Sequence, residues 1–148
     1  MRTETSLDLR EATVAITAMR SELQRRNALA VIAVADARGE IILLERADGA
    51  PATSVRIAMN KAWTAANQAC ASRAIGERVR SSERLDIGYY GDPRICGWAG
   101  GLPVVRDGAV VGSVAVSGLP EDDDEAVAKK GLAAITPDAR PRRGGRRR

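Results

Sequence analysis

Hydrophobic residues near the start of the chain recur with the spacing of one helix face. Thr5 and Asp8 resemble a helix capping box with Asp in place of the usual Glu. The apolar residues that follow at intervals of three and four are Leu9, Ala12, Ile16, Met19 and Leu23. Arg25 and Arg26 then suit a helix C-terminus. The pattern predicts an amphipathic helix that ends near these arginines.

Two apolar runs after this helix predict a β-hairpin. Residues 28–35 are rich in Val and Ile and are too few for a second helix, so they indicate a buried strand. Residues 36–39 supply turn chemistry, and residues 40–46 form the second strand. A long helix is predicted from Thr53 or Ser54, which are plausible N-caps, to about Arg73. Alanines on one side of this helix would let it lie close to a sheet or to a partner helix.

A second hairpin is the strongest local signal in the chain. Asp107 and Gly108 separate two apolar β-branched runs, and this pair favours a type I′ turn, since both positions need positive φ. The acidic run 121–125 opens a final helix, where carboxylates suit the positive end of the helix dipole. Residues 76–98 have no clear period and receive no assignment.

The predicted order is α-β-β-α-loop-β-β-α, with each pair of strands joined by a tight turn. This order predicts an α/β fold of the α+β type, in which helices pack on an antiparallel sheet. A chain of 148 residues has the size of one domain. We assign residues 1–136 to that domain and residues 137–148, rich in Arg, Pro and Gly, to a disordered tail.

The positive charge of the chain comes from its last residues. The six arginines of the tail are Arg140, Arg142, Arg143, Arg146, Arg147 and Arg148, and subtracting them turns the formal net charge of +4 into −2. The domain itself is therefore mildly acidic. A nucleic-acid partner is predicted only as weak binding through the tail.

Composition excludes several classes of chemistry. The chain contains no histidine, which excludes imidazole metal sites and triads whose base is histidine. Cys70 and Cys96 lack the spacing of a metal site. No apolar run reaches the roughly 18 residues of a membrane span, and the first residues do not resemble a signal peptide. We expect a cytoplasmic protein with no membrane partner.

Several segments together resemble the GlcG/HbpS family, a haem-degrading and haem-binding-like group that includes the C-terminal domain of PduO. They span about residues 7 to 134, and the matching pieces are 34–36 with Gly39, 46–50, 61–65, 100–104, 112–118 and the acidic start of the last helix. The resemblance implies a profilin-like sheet covered by helices and a homo-oligomeric assembly.

The resemblance also raises haem as a cofactor. Haem-binding members are expected to use a His among their haem contacts, and this chain has none. The remaining candidate donors are Tyr89, Tyr90, Cys96 and the three methionines. We therefore predict no cofactor, with haem as the alternative.

Lys61 leads the candidate site residues. It lies beside Asn60 in the alanine-rich helix, so its ammonium could bind a carboxylate or, if desolvated, act as a base or nucleophile; the alternative is a solvated lysine. Gly100 and Gly101 could turn backbone amides toward an anionic or carbonyl ligand, or merely allow a sharp turn into the sheet. Ser117 could present a hydroxyl to the same pocket, or simply end its strand.

Other polar residues have two interpretations each. Arg46 and Asp48 follow the second strand, where they could bind a carboxylated substrate or pair with each other. Residues 122–124, all Asp, could form a cation site, but capping of the last helix is favoured. Cys96 could be a nucleophile, or a small buried hydrophobic residue.

The leading functional hypothesis is a small-molecule-binding protein. Its ligand would be a carboxylate- or carbonyl-bearing metabolite of a catabolic or biosynthetic pathway, held between the two glycines, Lys61 and Ser117. The alternatives are an isomerase or hydrolase with a Lys or acidic base, a haem or tetrapyrrole binder, and an interaction protein whose Arg-rich tail docks an acidic partner. The sequence leaves open whether the protein is an enzyme.

Overall fold

The computed structural model describes residues 1 and 3–136, and the predicted disordered tail at 137–148 lies outside this range. The elements, in chain order, are α1 (Leu9–Arg25), β1 (Val31–Asp36), β2 (Ile41–Arg46), α2 (Thr53–Gln68), α3 (Ser72–Ser81), a 3-10 turn (Ile87–Tyr90), β3 (Gly101–Arg106), β4 (Ala109–Ser117) and α4 (Glu121–Ile135). The predicted order is confirmed, and α3 is an additional helix within the region predicted as the end of the long helix and the loop.

The four strands form one antiparallel sheet in the order β2-β1-β4-β3. Both predicted hairpins are present, and β1 pairs with β4 to join them. In the register, Val31 lies opposite Arg46 on one side and opposite Ser117 on the other. Cross-strand partners point to the same face, so these three side chains form one row across the sheet.

Helices cover both faces of the sheet. On one face, α1 and α4 bury Met19 and Val127 against Ile32 and Val114. On the other face, α2 packs through alanines, including Ala58 and Ala62, against small side chains of β1 and β4. Since both surfaces consist of small residues, α2 lies close to the sheet, as the alanine stripe predicted.

The first helix begins one turn later than its predicted capping box. Asp8 is the N-cap: its side chain accepts from the Glu11 N–H at 2.8 Å, and the Glu11 carboxylate accepts from the Asp8 N–H. The prediction that Thr5 and Asp8 form the box was therefore wrong. Leu7, the residue before this N-cap, is buried in the core, and this contact anchors the chain just before the helix begins.

The long helix predicted to reach Arg73 ends at Gln68. Ala69 adopts a left-handed conformation with φ of 52°, and α3 starts at Ser72, whose hydroxyl donates to the carbonyl of Trp98. The prediction of Thr53 or Ser54 as N-cap was also wrong, because both lie inside the first turn of α2. Tertiary contacts of the 72–98 segment thus override the continuous alanine-rich pattern.

The Asp107–Gly108 turn is confirmed. The two residues have φ values of 50° and 76°, and they join β3 to β4. Non-glycine residues seldom adopt positive φ, and Asp is among the side chains that tolerate it. The hairpin fixes the register that brings Ser117 to the end of the sheet.

Ion pairs join the end of α1 to the start of α4. The Glu22 carboxylate accepts from both Arg25 and Arg26, and Arg26 also contacts Asp123 at 3.2 Å. Hydrogen bonds from the two arginines lower the pKa of Glu22 from its ordinary 4.5 to about 2. The Glu22 carboxylate therefore stays charged under mildly acidic conditions.

We expect Glu22→Gln to change the acid sensitivity of the fold. A depressed pKa means that the Glu22 contribution is present above pH 4.5 and is lost as the pH falls toward about 2. The free energy of unfolding of the wild type should thus approach that of the variant across this interval. Denaturant titrations at stepped pH measure it, with Glu77→Gln on an exposed position as control. A constant difference between wild type and Glu22→Gln would contradict the expectation.

Candidate functional site

A cleft of about 380 Å³ lies at the end of the sheet, between the start of α2 and the start of α4. We call it the α2–α4 cleft. The residues that line it are Pro51, Thr53, Ser54, Ile57, Lys61, Trp98, Ser117, Gly118, Leu119, Pro120, Glu121 and Asp124. The cleft therefore combines two carboxylates, one amine, three hydroxyls and an aromatic ring.

Lys61 and Asp124 form a buried ion pair at the base of the cleft. The Lys61 Nζ donates to Asp124 Oδ2 and to the carbonyl oxygen of Val116, each at 2.9 Å. Both residues are only 2% exposed. The alternative of a solvated helix lysine was therefore wrong. Since α2 and α4 lie on opposite faces of the sheet, the pair joins the two helix layers across its end.

Asp124 is held by more than Lys61. Its Oδ1 accepts from the Leu119 N–H at 3.0 Å, so the carboxylate also orders the loop between β4 and α4. Burial raises the pKa of Asp124, against the opposing effects of the Lys61 ammonium and of the loop N–H groups. The carboxylate thus stays in a dry site only because several donors surround it.

The two glycines give Lys61 the space it occupies. A Cβ on Gly100 would lie 2.9 Å from the Lys61 Nζ, and one on Gly101 would lie 2.4 Å from the Lys61 carbonyl oxygen. The Gly101 N–H donates to the Ser72 hydroxyl at 2.9 Å, so it is not left for a ligand. The glycines lie behind Lys61 and do not line the cleft. Their observed role is close packing.

Two serines supply hydroxyls to the cleft. Ser54 and Ser117 are each 4% exposed, and both line it. Neither hydroxyl makes a hydrogen bond to the described residues, in contrast to Ser113, which donates to the carbonyl of Ala62. Arg106 Nε is the one fully buried side-chain polar atom without a partner in the described range, so both serine hydroxyls are open to solvent in the cleft. Ser117 lies at the end of β4 and lines the cleft together with Lys61, and Ser54, which the sequence suggested only as an N-cap, lines it as well.

Three other predicted site residues lie elsewhere. Arg46 donates to the carbonyl of Ala50 at 3.1 Å and makes no ion pair with Asp48 within the described range, so the alternative that the two residues pair with each other was wrong. Asp48 lines a separate depression beside α1. Asn60 precedes Lys61 by one residue, which at ~3.6 residues per turn directs it to another side of α2. None of the three lines the α2–α4 cleft.

The three consecutive aspartates of α4 each contact a different helix. Asp122 pairs with Arg73 of α3, Asp123 with Arg26 at the end of α1, and Asp124 with Lys61 of α2. The position before α4 is Pro120, with no side-chain capping bond. Capping was therefore the wrong assignment. In the part of the chain that the structure describes, no cluster of His, Cys, Asp and Glu side chains suits a metal ion.

Trp98 and Glu121 complete the cleft and were not found from the sequence. The Trp98 ring is 53% exposed, and Glu121 Oε2 accepts from the Ala99 N–H at 3.0 Å. One signal was available for Ser54, since it precedes Lys61 by seven residues, or two helical turns, and so shares its face. The position of Trp98 follows only from the path of the irregular 82–100 segment.

Cys96 lies outside the cleft, in a neighbouring depression on the other side of Trp98. Burial raises the pKa of its thiol, which disfavours the thiolate that a nucleophile or a metal ligand needs. This agrees with the interpretation of Cys96 as a small, partly buried hydrophobic residue.

The other possible iron donors do not converge on one site. Tyr89 is 76% exposed, Met19 is buried in the core, and neither lines the α2–α4 cleft; the same holds for Tyr90, Cys70, Met1 and Met59. With no histidine in the chain and a protonated Cys96 thiol, the residues present do not fit a coordinated haem iron.

Within the described range, no helix has both the length and the apolarity to cross a bilayer.

Residues 7–133 match the family model described as haem degrading protein HbpS-like. The chain belongs to this family, which confirms the resemblance seen in its motifs. The same relationship appears in individual proteins. The chain is 34% identical to an uncharacterized 15.0 kDa protein in the dhaT-dhaS intergenic region of Citrobacter freundii, over 72% of this chain and 75% of that protein.

Two further relatives support the family and the fold. GlcG of Escherichia coli K12 is 33% identical over 79% of this chain and 85% of its own length. The crystal structure of a double mutant of HbpS from Streptomyces reticuli is 29% identical and has a TM-score of 0.83, over 92% of this chain and 91% of that one. The predicted fold, an antiparallel profilin-like sheet covered by helices, is thereby confirmed.

We expect the Lys61–Asp124 pair to behave as a unit in stability measurements. Lys61→Met and Asp124→Leu should each lower the free energy of unfolding by about 3–5 kcal/mol, because each leaves a buried charge unpaired. The double variant should lose far less than the sum. Denaturant unfolding of the wild type, the two single variants and the double variant measures the coupling.

The matched control is the ion pair of the exposed Lys129 with Glu125, in which the two charged atoms are 3.6 Å apart. Lys129→Met should cost no more than about 1 kcal/mol. Additive losses in the double variant of Lys61 and Asp124 would contradict the expected coupling.

Proposed function

We propose that the protein binds a small organic molecule with a carbonyl or carboxylate oxygen in the α2–α4 cleft. The observation that carries the proposal is that the hydroxyls of Ser54 and Ser117 open into the same cleft as Lys61 and make no hydrogen bond to the described residues. Both hydroxyls are therefore free to donate to and accept from a ligand. A ligand that enters the cleft would form hydrogen bonds with both.

The groups of the cleft suit such a ligand. An ammonium has three N–H donors, and Lys61 uses two of them within the fold, so one remains for a ligand oxygen. Each serine hydroxyl both donates and accepts. Trp98 and Ile57 offer apolar surface for the carbon skeleton. The volume of about 380 Å³ lies at the small end of the range for ligand sites.

The contacts of Lys61 favour binding over base catalysis. A general base needs a lone pair directed at the substrate, whereas the Lys61 Nζ donates to two acceptors and is paired with a carboxylate. We therefore place Lys61 as a binding residue. A role as catalytic base, and with it an isomerase or hydrolase activity, is the weaker proposal.

We expect Ser117→Ala and Ser54→Ala to weaken ligand binding without loss of the fold. Each removes one hydrogen bond, which is worth about 0.5–1.5 kcal/mol or an affinity change of about 2- to 13-fold. Calorimetric titration with short aldehydes, ketones, hydroxy compounds and carboxylates measures the effect. Ser81→Ala, at an exposed position at the end of α3, is the control. Ligands whose affinity is the same in both cleft variants as in the wild type would refute the site.

Binding of haem or another tetrapyrrole is a second candidate, favoured by the family description and the likeness to HbpS. The side chains of this chain do not supply an axial ligand for haem iron, so any such binding would depend on other contacts.

The homo-oligomeric assembly, the cytoplasmic location and an acidic partner for the Arg-rich tail stay predictions from the sequence.

A hemin titration separates the two candidates. Because no donor set converges on one site, we expect no saturable shift of the Soret band when hemin is added to the protein. Hemin titrated into buffer alone gives the baseline for its own aggregation. A saturable shift at a fixed ratio of hemin to chain would favour the haem candidate over the metabolite.

A further inference from the structure

We infer that the ligand of the α2–α4 cleft is an uncharged hydroxyl- and carbonyl-bearing molecule, such as a short polyol or hydroxyketone, and not a carboxylate anion. The inference rests on the proposed function, since it names the class of ligand for that same site. It depends on the balance of charges in the cleft and on the match between hydrogen-bond donors and acceptors.

The cleft holds more negative than positive charge. Lys61 is the one cation among its lining residues, and Asp124 and Glu121 are two carboxylates. The Lys61 ammonium lies 2.9 Å from Asp124 and is neutralised by it. Glu121 adds a second carboxylate at the same wall, and it forms no ion pair with the described residues. An anionic ligand would therefore face repulsion in a partly dry site, where charges interact more strongly than in water.

Among the described residues, the two arginines that contact α4 near the cleft do not correct this balance. Arg73 contacts Asp122 and Glu125, and Arg26 contacts Glu22 and Asp123, so each is already paired with carboxylates. Neither arginine lines the cleft. The bidentate arginine that commonly recognises a carboxylate is thus missing from the residues that form this site.

The hydrogen-bonding groups favour hydroxyls. Glu121 Oε2 accepts from the Ala99 N–H, which leaves Oε1 as an acceptor with no described partner. The serine hydroxyls of residues 54 and 117 donate and accept, and Lys61 has one N–H left to donate. A ligand hydroxyl can donate to Glu121 and accept from a serine, whereas a carboxylate only accepts. A ligand carbonyl suits the remaining N–H of Lys61.

Matched ligands that differ in charge provide the test. Calorimetric titrations compare glycerol and dihydroxyacetone with glycerate, which has a similar size and carries one negative charge. We expect each neutral compound to bind the wild type at least ~10-fold more tightly than glycerate. Ser117→Ala should weaken the neutral compounds, because it removes one of their hydrogen-bond partners.

The Glu121→Gln variant tests whether the charge of Glu121 causes the expected preference for neutral ligands. The Gln side-chain oxygen can still accept from the Ala99 N–H, so the loop is kept while one negative charge is removed. We expect glycerate to bind this variant several-fold more tightly than it binds the wild type, with a smaller change for glycerol. Asp122→Asn is the matched control, because Asp122 lies one residue further along α4 and outside the cleft.

The outcomes separate this inference from the proposed function. Glycerate that binds more tightly than both neutral compounds and depends on Ser117 would overturn the neutral-ligand inference and keep the site. The inference would also be overturned if the ratio of the affinity for the neutral compounds to that for glycerate were the same in Glu121→Gln as in the wild type. If none of the three compounds binds up to its solubility limit, or if binding does not depend on Ser117, both the site and the inference fail.

Discussion

The contact between Lys61 and Asp124 is the interaction on which the site depends. It joins helices from opposite faces of the sheet, and it exists only because the helix backbone lies close to the strand that begins at Gly101. Any side chain at Gly100 or Gly101 would occupy the space of Lys61. Desolvation of two charges is costly, and the carbonyl of Val116 and the loop N–H groups offset that cost with further hydrogen bonds.

The start of α4 gathers the ionic contacts of the other helices. Its three aspartates reach one basic residue each on α2, α3 and the end of α1. This arrangement fixes the loop after β4 and so determines the wall of the cleft. It also pairs Arg26, Lys61 and Arg73 with carboxylates. The electrostatic character of the cleft thus follows from the same contacts that hold the helices together.

Membership of the HbpS-like family defines the fold of this chain more closely than its chemistry. The sheet and helices superpose on HbpS with a TM-score of 0.83, while the side chains do not provide an axial ligand for haem iron. A shared fold can hold different sites, because function depends on a few side chains at loops and helix ends. In the α2–α4 cleft, where we propose the site, the side chains are hydroxyls, an amine and carboxylates around an exposed indole ring.

The sequence by itself determined both hairpins, the alanine-lined helix face and the family. Turn chemistry at Asp107–Gly108 and hydrophobic periodicity are local properties, so they can be found from neighbouring residues. It also named Lys61 and Ser117 as candidate residues, and the fold brings both to the α2–α4 cleft. Only the tertiary structure decided that Lys61 is buried, that the helix breaks at Ala69, and that Arg46 lies outside the cleft. Lys61 and Asp124 are 63 residues apart in the chain, and packing alone brings their charges together.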